Sequence, residues 1–136
     1  MSQPDFDARV VLKATISPSE DPLKVAAALA NILGSEPNAV ELGQDSARLG
    51  TKDPKALRLI KDKLRDRHVR SAARRQLLLN KSGGSSSMLL NRQAASAGVL
   101  ALCGVPEESP LGPIYLSIRS DKLDAVIDWL TAYDAG

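Results

Sequence analysis

The stretch Pro54-Lys55-Ala56-Leu57-Arg58-Leu59-Ile60-Lys61-Asp62-Lys63-Leu64-Arg65-Asp66-Arg67-His68-Val69-Arg70-Ser71-Ala72-Ala73-Arg74-Arg75-Gln76-Leu77-Leu78-Leu79 carries two apolar stripes that point different ways. Asp53-Pro54 reads as an N-cap followed by a proline at the first helical position, where the missing N–H costs nothing. At about 100° per residue, Leu57, Ile60 and Leu64 share one face. Beyond Arg67 the apolar set becomes Val69, Ala72, Ala73 and Leu77, nearly opposite. One straight helix cannot bury both stripes on one core. The pattern therefore predicts a break within about two residues of Arg67 and a second helix ending near Leu79.

Outward from this region, Ala8, Val10, Leu12, Ala14 and Ile16 alternate with Arg9, Val11, Lys13 and Thr15, the period of a half-exposed strand. Residues 1–6 read as a flexible tail. Asp21-Pro22 repeats the cap-plus-proline start, Val25, Leu29, Ile32 and Leu33 form a buried stripe, and Gly34 stops the helix. Two short strands are expected at 39–42 and 47–51. Asn80 to Ser86 has linker chemistry, so residues 82–87 are expected to form a flexible Ser/Gly loop. Residues 87–95 and 98–103 read as a pair of strands, 107–112 as a loop. Ile114, Leu116 and Ile118 mark a last strand. Ser120 or Asp121 would cap a final helix burying Leu123, Val126, Ile127 and Leu130. The order predicts an α+β chain, one two-layer domain over residues 1–136, with a largely antiparallel sheet and helices on one face.

Composition narrows the function. The 136 residues include one Cys and one His, which excludes a disulfide framework and a Cys/His zinc cage. No cofactor is implied. No apolar run approaches the roughly 18 residues of a membrane span, and the start Met-Ser-Gln-Pro-Asp is no secretory signal, so a cytoplasmic protein is expected. The only aromatics are Phe6, Tyr115, Trp129 and Tyr133, which weakens any reading built on base stacking. The net charge of +2 conceals an asymmetry. Residues 52–81 hold eleven basic and three acidic groups, net +8, and each flank is net −3. A concentrated field of this kind steers polyanions. Arg67, Arg70 and Arg74 fall on one helical face, and guanidinium groups suit phosphate bidentately.

Four motifs in order resemble a small archaeal family of predicted RNA-binding proteins. They are Pro18-Ser19-Glu20-Asp21-Pro22-Leu23-Lys24-Val25, the arginine-rich run from Leu64 to Arg74, Leu90-Asn91-Arg92-Gln93-Ala94-Ala95 with Gly98, and Pro110-Leu111-Gly112-Pro113-Ile114 with Ile127-Asp128-Trp129-Leu130. Where that family carries Lys, this chain has Arg92; where it carries a bulky residue, Ser96. The resemblance implies a fold related to the ribosomal protein that holds 5S ribosomal RNA, and association with the exosome.

Residues and resemblance together predict a non-catalytic binder of structured RNA, acting as an accessory subunit of an RNA-processing or ribonucleoprotein complex. Arg65, Arg67, Arg70, Arg74, Arg75 and Lys81 are the expected phosphate contacts. Asn91, Arg92 and Gln93, read as a strand, are weaker candidates for sugar or base edges; Arg92 reads equally as a buried structural arginine. The alternative is a protein-interaction module whose basic helix docks on an acidic partner or on a second copy, giving a homodimer. No enzyme is expected: His68 is the one imidazole, no motif ties a nucleophile to it, and Cys103 reads as a buried thiol. Asp121, Asp124 and Asp128 share a face of the last helix and read as solvated acids placed by the helix dipole. Residues 54–132 also follow the element order of a double-stranded RNA-binding domain. The acidic start of that last helix excludes its way of meeting phosphates.

Overall fold

A computed structural model describes residues 7–104 and 111–132. The predicted tail at 1–6 and residues 107–110 of the predicted loop lie outside them. Five strands form one antiparallel sheet: β1 (Ala8–Thr15), β2 (Glu41–Leu42), β3 (Ser46–Thr51), β4 (Ser85–Leu90) and β5 (Ile114–Ser120), in the spatial order β2-β3-β1-β5-β4. The helices are α1 (Pro22–Leu33), α2 (Pro54–Lys63), α3 (Arg67–Leu79), α4 (Arg92–Ser96) and α5 (Leu123–Leu130), with a 3₁₀ turn at Pro37–Ala39. The α+β class and the antiparallel sheet follow the sequence pattern.

Local chemistry sets the boundaries. The Asp21 carboxylate accepts the Leu23 N–H, Pro22 opens α1, and Gly34 closes it in the left-handed region at φ 66°. A Cβ on Gly34 would stand 2.8 Å from Leu59 Cδ2, so space as well as conformation calls for glycine. The break between the helical stripes falls where the apolar phase jumps. Leu64 ends α2, and Asp66 caps α3 by accepting the N–H groups of His68 and Val69. Those two bonds hold the exposed Asp66 carboxyl below its usual value, Val69 contributing most. Leu57, Ile60 and Leu64 on one side of the break, and Ala73 and Leu77 on the other, then reach the same core.

Beyond α3 the sequence reading needs correction. Ser85, Ser86 and Ser87 belong to β4, and the loop is a tight Ser82–Ser85 turn whose end residues exchange backbone hydrogen bonds. The strand expected over 87–95 ends at Leu90, because Asn91 caps a helix instead. The strand expected over 98–103 reduces to one bridge, Leu90 with Leu102. The Asn91 N–H donates to Ala101 and the Cys103 N–H to Leu89. At the end of the chain, Ser120 Oγ accepts the Lys122 N–H, but no side chain caps α5.

The strand edges are managed differently. Beyond the Leu90–Leu102 bridge, the outward groups of β4 are met by side chains of α3. Gln76 accepts the Leu89 N–H and donates to the Cys103 carbonyl, and Asn80 donates to Ser87. Buried Ser86 donates its hydroxyl to the Leu77 carbonyl, tying α3 to the same strand. The opposite edge, β2, has only two residues. Both devices discourage pairing with another chain.

The four longer strands direct most of their apolar positions to one side, where Leu12, Met88, Leu116 and Ile118 meet Leu29, Ile60, Leu77 and Ile127 of the helices. The other side of the sheet carries Arg9, Val11, Lys13 and Thr15 of β1 and Tyr115, Ser117 and Arg119 of β5, and no described helix covers it.

Candidate nucleic-acid interface

Much of the positive charge between 52 and 81 is engaged within the fold. Arg58 lies 4.0 Å from Asp62, one turn on along α2. Lys61 Nζ donates to the Trp129 carbonyl at 2.8 Å and sits 5.2 Å from the centroid of its ring, joining α2 to α5. Lys63 Nζ donates to the Gly98 carbonyl. Arg70 donates to the Arg65 carbonyl. Arg74, an expected phosphate contact, reaches Asp128 at 2.9 Å and Thr131 Oγ1 at 3.1 Å. Lys81, another, pairs with Asp124. The α5 acids read as merely solvated are thus intramolecular partners of two predicted RNA contacts. A helical wheel of α3 alone cannot show this, because α5 follows some 50 residues later.

The remainder stays open to solvent. Arg65 and Arg67 flank Asp66 at the elbow between α2 and α3, and both are exposed, as are Arg75, Lys52 and Lys55. Among the described residues, none of these five has a carboxylate within ion-pair distance. His68, also exposed, lies at the same elbow.

Asn91, Arg92 and Gln93 do not form a reading edge. Asn91 Oδ1 accepts the Ala94 N–H at 3.0 Å as the cap of α4. Arg92 is buried, with a side chain 6% exposed. Its Nη1 donates to both carboxylate oxygens of Glu20, at 2.7 and 2.8 Å, and its Nε donates to the Gly112 carbonyl. Burial alone would push the Glu20 carboxyl up. The Ser17 N–H and the Arg92 guanidinium outweigh that and hold it below its ordinary value of 4.5. The pair ties the β1–α1 connection to α4 and to the start of β5, so the strand reading of this segment is corrected and Arg92 is structural. Gln93 alone of the three is exposed, on the wall of a cleft of about 360 Å³ that Lys24, Glu20 and Ser96 also line.

Sequence reasoning missed the open side of the sheet. Its rows follow from the strand register. Arg9 stands opposite Arg119, Lys13 opposite Arg48 on one side and Tyr115 on the other, and Tyr115 opposite Leu89. The alternation in β1 and β5 already placed Arg9, Lys13 and Arg119 on one face. Their juxtaposition needed the pairing of strands more than 100 residues apart.

No family model matched the chain. Individual proteins do. A UPF0201 protein of Sulfurisphaera tokodaii is 34% identical over 125 residues, spanning 90% of this chain and 86% of its own. One from Methanothermobacter thermautotrophicus is 35% identical over 124 residues, 90% and 89% respectively. Among solved structures, a crystal structure of an uncharacterised UPF0201 protein superposes with a TM-score of 0.74 at 22% identity, covering 92% of this chain and 94% of that one. The UPF0201 protein of Methanococcus jannaschii gives 0.71 at 25% identity, covering 94% and 96%. Identity of 34–35% over 90% of the chain, with the same strand-and-helix plan in the solved UPF0201 structures, places the chain in the archaeal UPF0201 family.

Proposed function

We propose that the protein is a non-catalytic RNA-binding protein that holds structured RNA through the basic elbow between α2 and α3. One observation carries this reading. Once the fold has given partners to Arg58, Lys61, Lys63, Arg70, Arg74 and Lys81, the exposed charges of this segment without a carboxylate partner among the described residues are Lys52, Lys55, Arg65, Arg67 and Arg75. Arginines on either side of a helix cap, with no carboxylate partner among the described residues, are free to present their forks to phosphate oxygens. Shape rather than base sequence is the recognised feature, since such contacts carry no sequence information. The resemblance in the sequence extends the reading to an accessory subunit of an RNA-processing assembly such as the exosome, and to kinship with the 5S-binding ribosomal protein. A docking of the basic helix on the α5 acids of a second copy is less favoured, because Asp124 and Asp128 already hold Lys81 and Arg74 of their own chain.

The test is a salt titration of binding to a labelled RNA hairpin. Arg65→Gln, Arg67→Gln and Arg75→Gln together leave the core untouched and should flatten the log–log salt slope by about two to three units, as each lost phosphate contact removes about 0.7–0.9. An unchanged slope in the folded triple variant overturns the elbow as the site. Absence of binding by the wild type at low salt overturns the RNA reading and favours the interaction module.

A further inference from the structure

We propose that the open face of the sheet is a second RNA-holding surface, in which Arg9, Arg119, Lys13 and Arg48 contact phosphates and Tyr115 stacks an unpaired base. The proposal rests on the reading above for the class of ligand and adds where, and in what form, that ligand is held.

Three features of the face converge. First, it is open: Arg9, Lys13, Tyr115, Ser117 and Arg119 are all exposed and no described helix packs over them. Second, like charges stand directly opposite one another on neighbouring strands. Arg9 faces Arg119 across β1 and β5, and Lys13 faces Arg48 across β1 and β3. Opposed like charges destabilise a sheet, so they work against the fold unless an anion lies over them. Arg48 has Glu41 at 3.8 Å on the edge strand; among the described residues, Arg9, Lys13 and Arg119 have no carboxylate within ion-pair distance. The two rows lie four residues apart along β1, about 13 Å, which separates the pairs enough to hold different phosphates. Third, the rows are not only cationic. Tyr115, 42% exposed, sits in register between Lys13 and Leu89. A part-exposed ring on an open sheet, in register between a cation and an apolar side chain, offers a splayed-out base a place to stack.

The Arg9–Arg119 row continues into a cleft of about 490 Å³ at the end of the sheet, lined by Arg9, Lys52 and Arg119 together with Asp7 and Asp121. Lys52 belongs to the basic segment, so positive charge runs from the sheet into the start of α2. The two acids moderate the cleft itself. The Lys13–Arg48 row lies outside the lining of that cleft, so the face carries phosphate contacts at two places, one tempered by these acids and one not. An RNA strand fits the charge, the width and the lone aromatic together. An acidic protein surface would use the charges and leave Tyr115 without a role.

The experiment uses the full chain, fluorescence anisotropy and two labelled RNAs, a hairpin with a single-stranded loop and a blunt duplex of the same stem. R9Q/R119Q should flatten the salt slope on the hairpin by about one to two units. Its melting temperature should stay the same or rise, because a repulsive pair has gone. Y115S should weaken hairpin binding roughly 5- to 150-fold and leave the duplex unchanged. If the wild type binds RNA, R9Q/R119Q keeps the full slope and the elbow triple variant loses its slope, the sheet proposal is overturned and the function stands. If the wild type binds neither RNA, the function fails and the sheet proposal with it. If R9Q/R119Q instead turns a dimer into a monomer in sedimentation while RNA affinity is unchanged, the face is a self-association surface and the proposal is overturned.

Discussion

Replacing Arg92 with Ala separates its two readings by magnitude. Arg92 is 5% exposed overall and the Glu20 side chain 11%, so little water solvates the pair while both partners are present. The variant leaves a carboxylate with its Ser17 N–H bond but without its cation, and it strips a donor from the Gly112 carbonyl. Breaking one partner out of a buried ion pair costs about 3–5 kcal/mol. For a chain of this length that lowers the melting temperature by about 10–20 °C. The companion variant Arg92→Met with Glu20→Leu removes both charges together and should recover most of the loss, since well-packed apolar replacements of buried pairs are often neutral. Urea unfolding at neutral pH measures both. RNA affinity and its salt slope should be unchanged in Arg92→Met/Glu20→Leu, because the Arg92 charge is already neutralised inside the fold. A loss below about 1 kcal/mol in Arg92→Ala, or a salt slope flattened by a full unit in the folded double variant, refutes the structural assignment.

Two further outcomes are expected. Ile127 is 1% exposed and packed in the core from α5, so Ile127→Ala should cost about 2–5 kcal/mol through lost burial and a residual cavity; a urea-midpoint shift equivalent to less than about 1 kcal/mol would show that the site collapses around the smaller side chain. The folded Glu20 carboxyl titrates below its ordinary 4.5, so its contribution is complete above that value and disappears as pH falls through the depressed one; unfolding curves for Glu20→Gln should show a shallower acid limb than wild type below about pH 4.5, and parallel limbs would contradict the shift.

The elements that sequence reading recovered are those whose signals are local. Asp21-Pro22 with Gly34, and Asp53-Pro54 with the phase jump near Arg67, bound three helices by signals that need no tertiary information; the Asp66 cap of the third is added by the structure. The segment after Leu90 went wrong for a physical reason. Asn91-Arg92-Gln93-Ala94-Ala95 has fair helix formers and a capping residue at its head, but it follows an alternating strand, and the period of two was carried too far. The signal that was available is Asn91 three residues before Ala94, the N-cap spacing, in a run without a single β-branched residue. The Ser-rich stretch erred similarly. Serine alternating with serine gives no hydrophobic pattern, yet Ser86 faces the core because the Leu77 carbonyl is there to accept its hydroxyl.

The proposed RNA surface was legible in charge and illegible in geometry. A surplus of eight positive charges in 30 residues is a statement about the unfolded sequence. Folding redistributes it, because each cation near a carbonyl or carboxylate of another element becomes part of the scaffold. Lys61 and Lys63 meet the carbonyls of Trp129 and Gly98, Arg74 and Lys81 meet α5, and these contacts span from 35 to 68 residues of chain. Meanwhile Arg9, Lys13, Arg48 and Arg119, scattered through flanks of net negative charge, are gathered by strand pairing into two opposed like-charge rows. What a polyanion meets is set by which cations the fold leaves without a carboxylate. On that view the elbow at Arg65 and Arg67 is the part of the proposed surface with no carboxylate beside it among the described residues, Arg74 and Lys81 present exposed charges already shared with α5, and the open sheet face is a further proposed surface that the linear charge count had hidden.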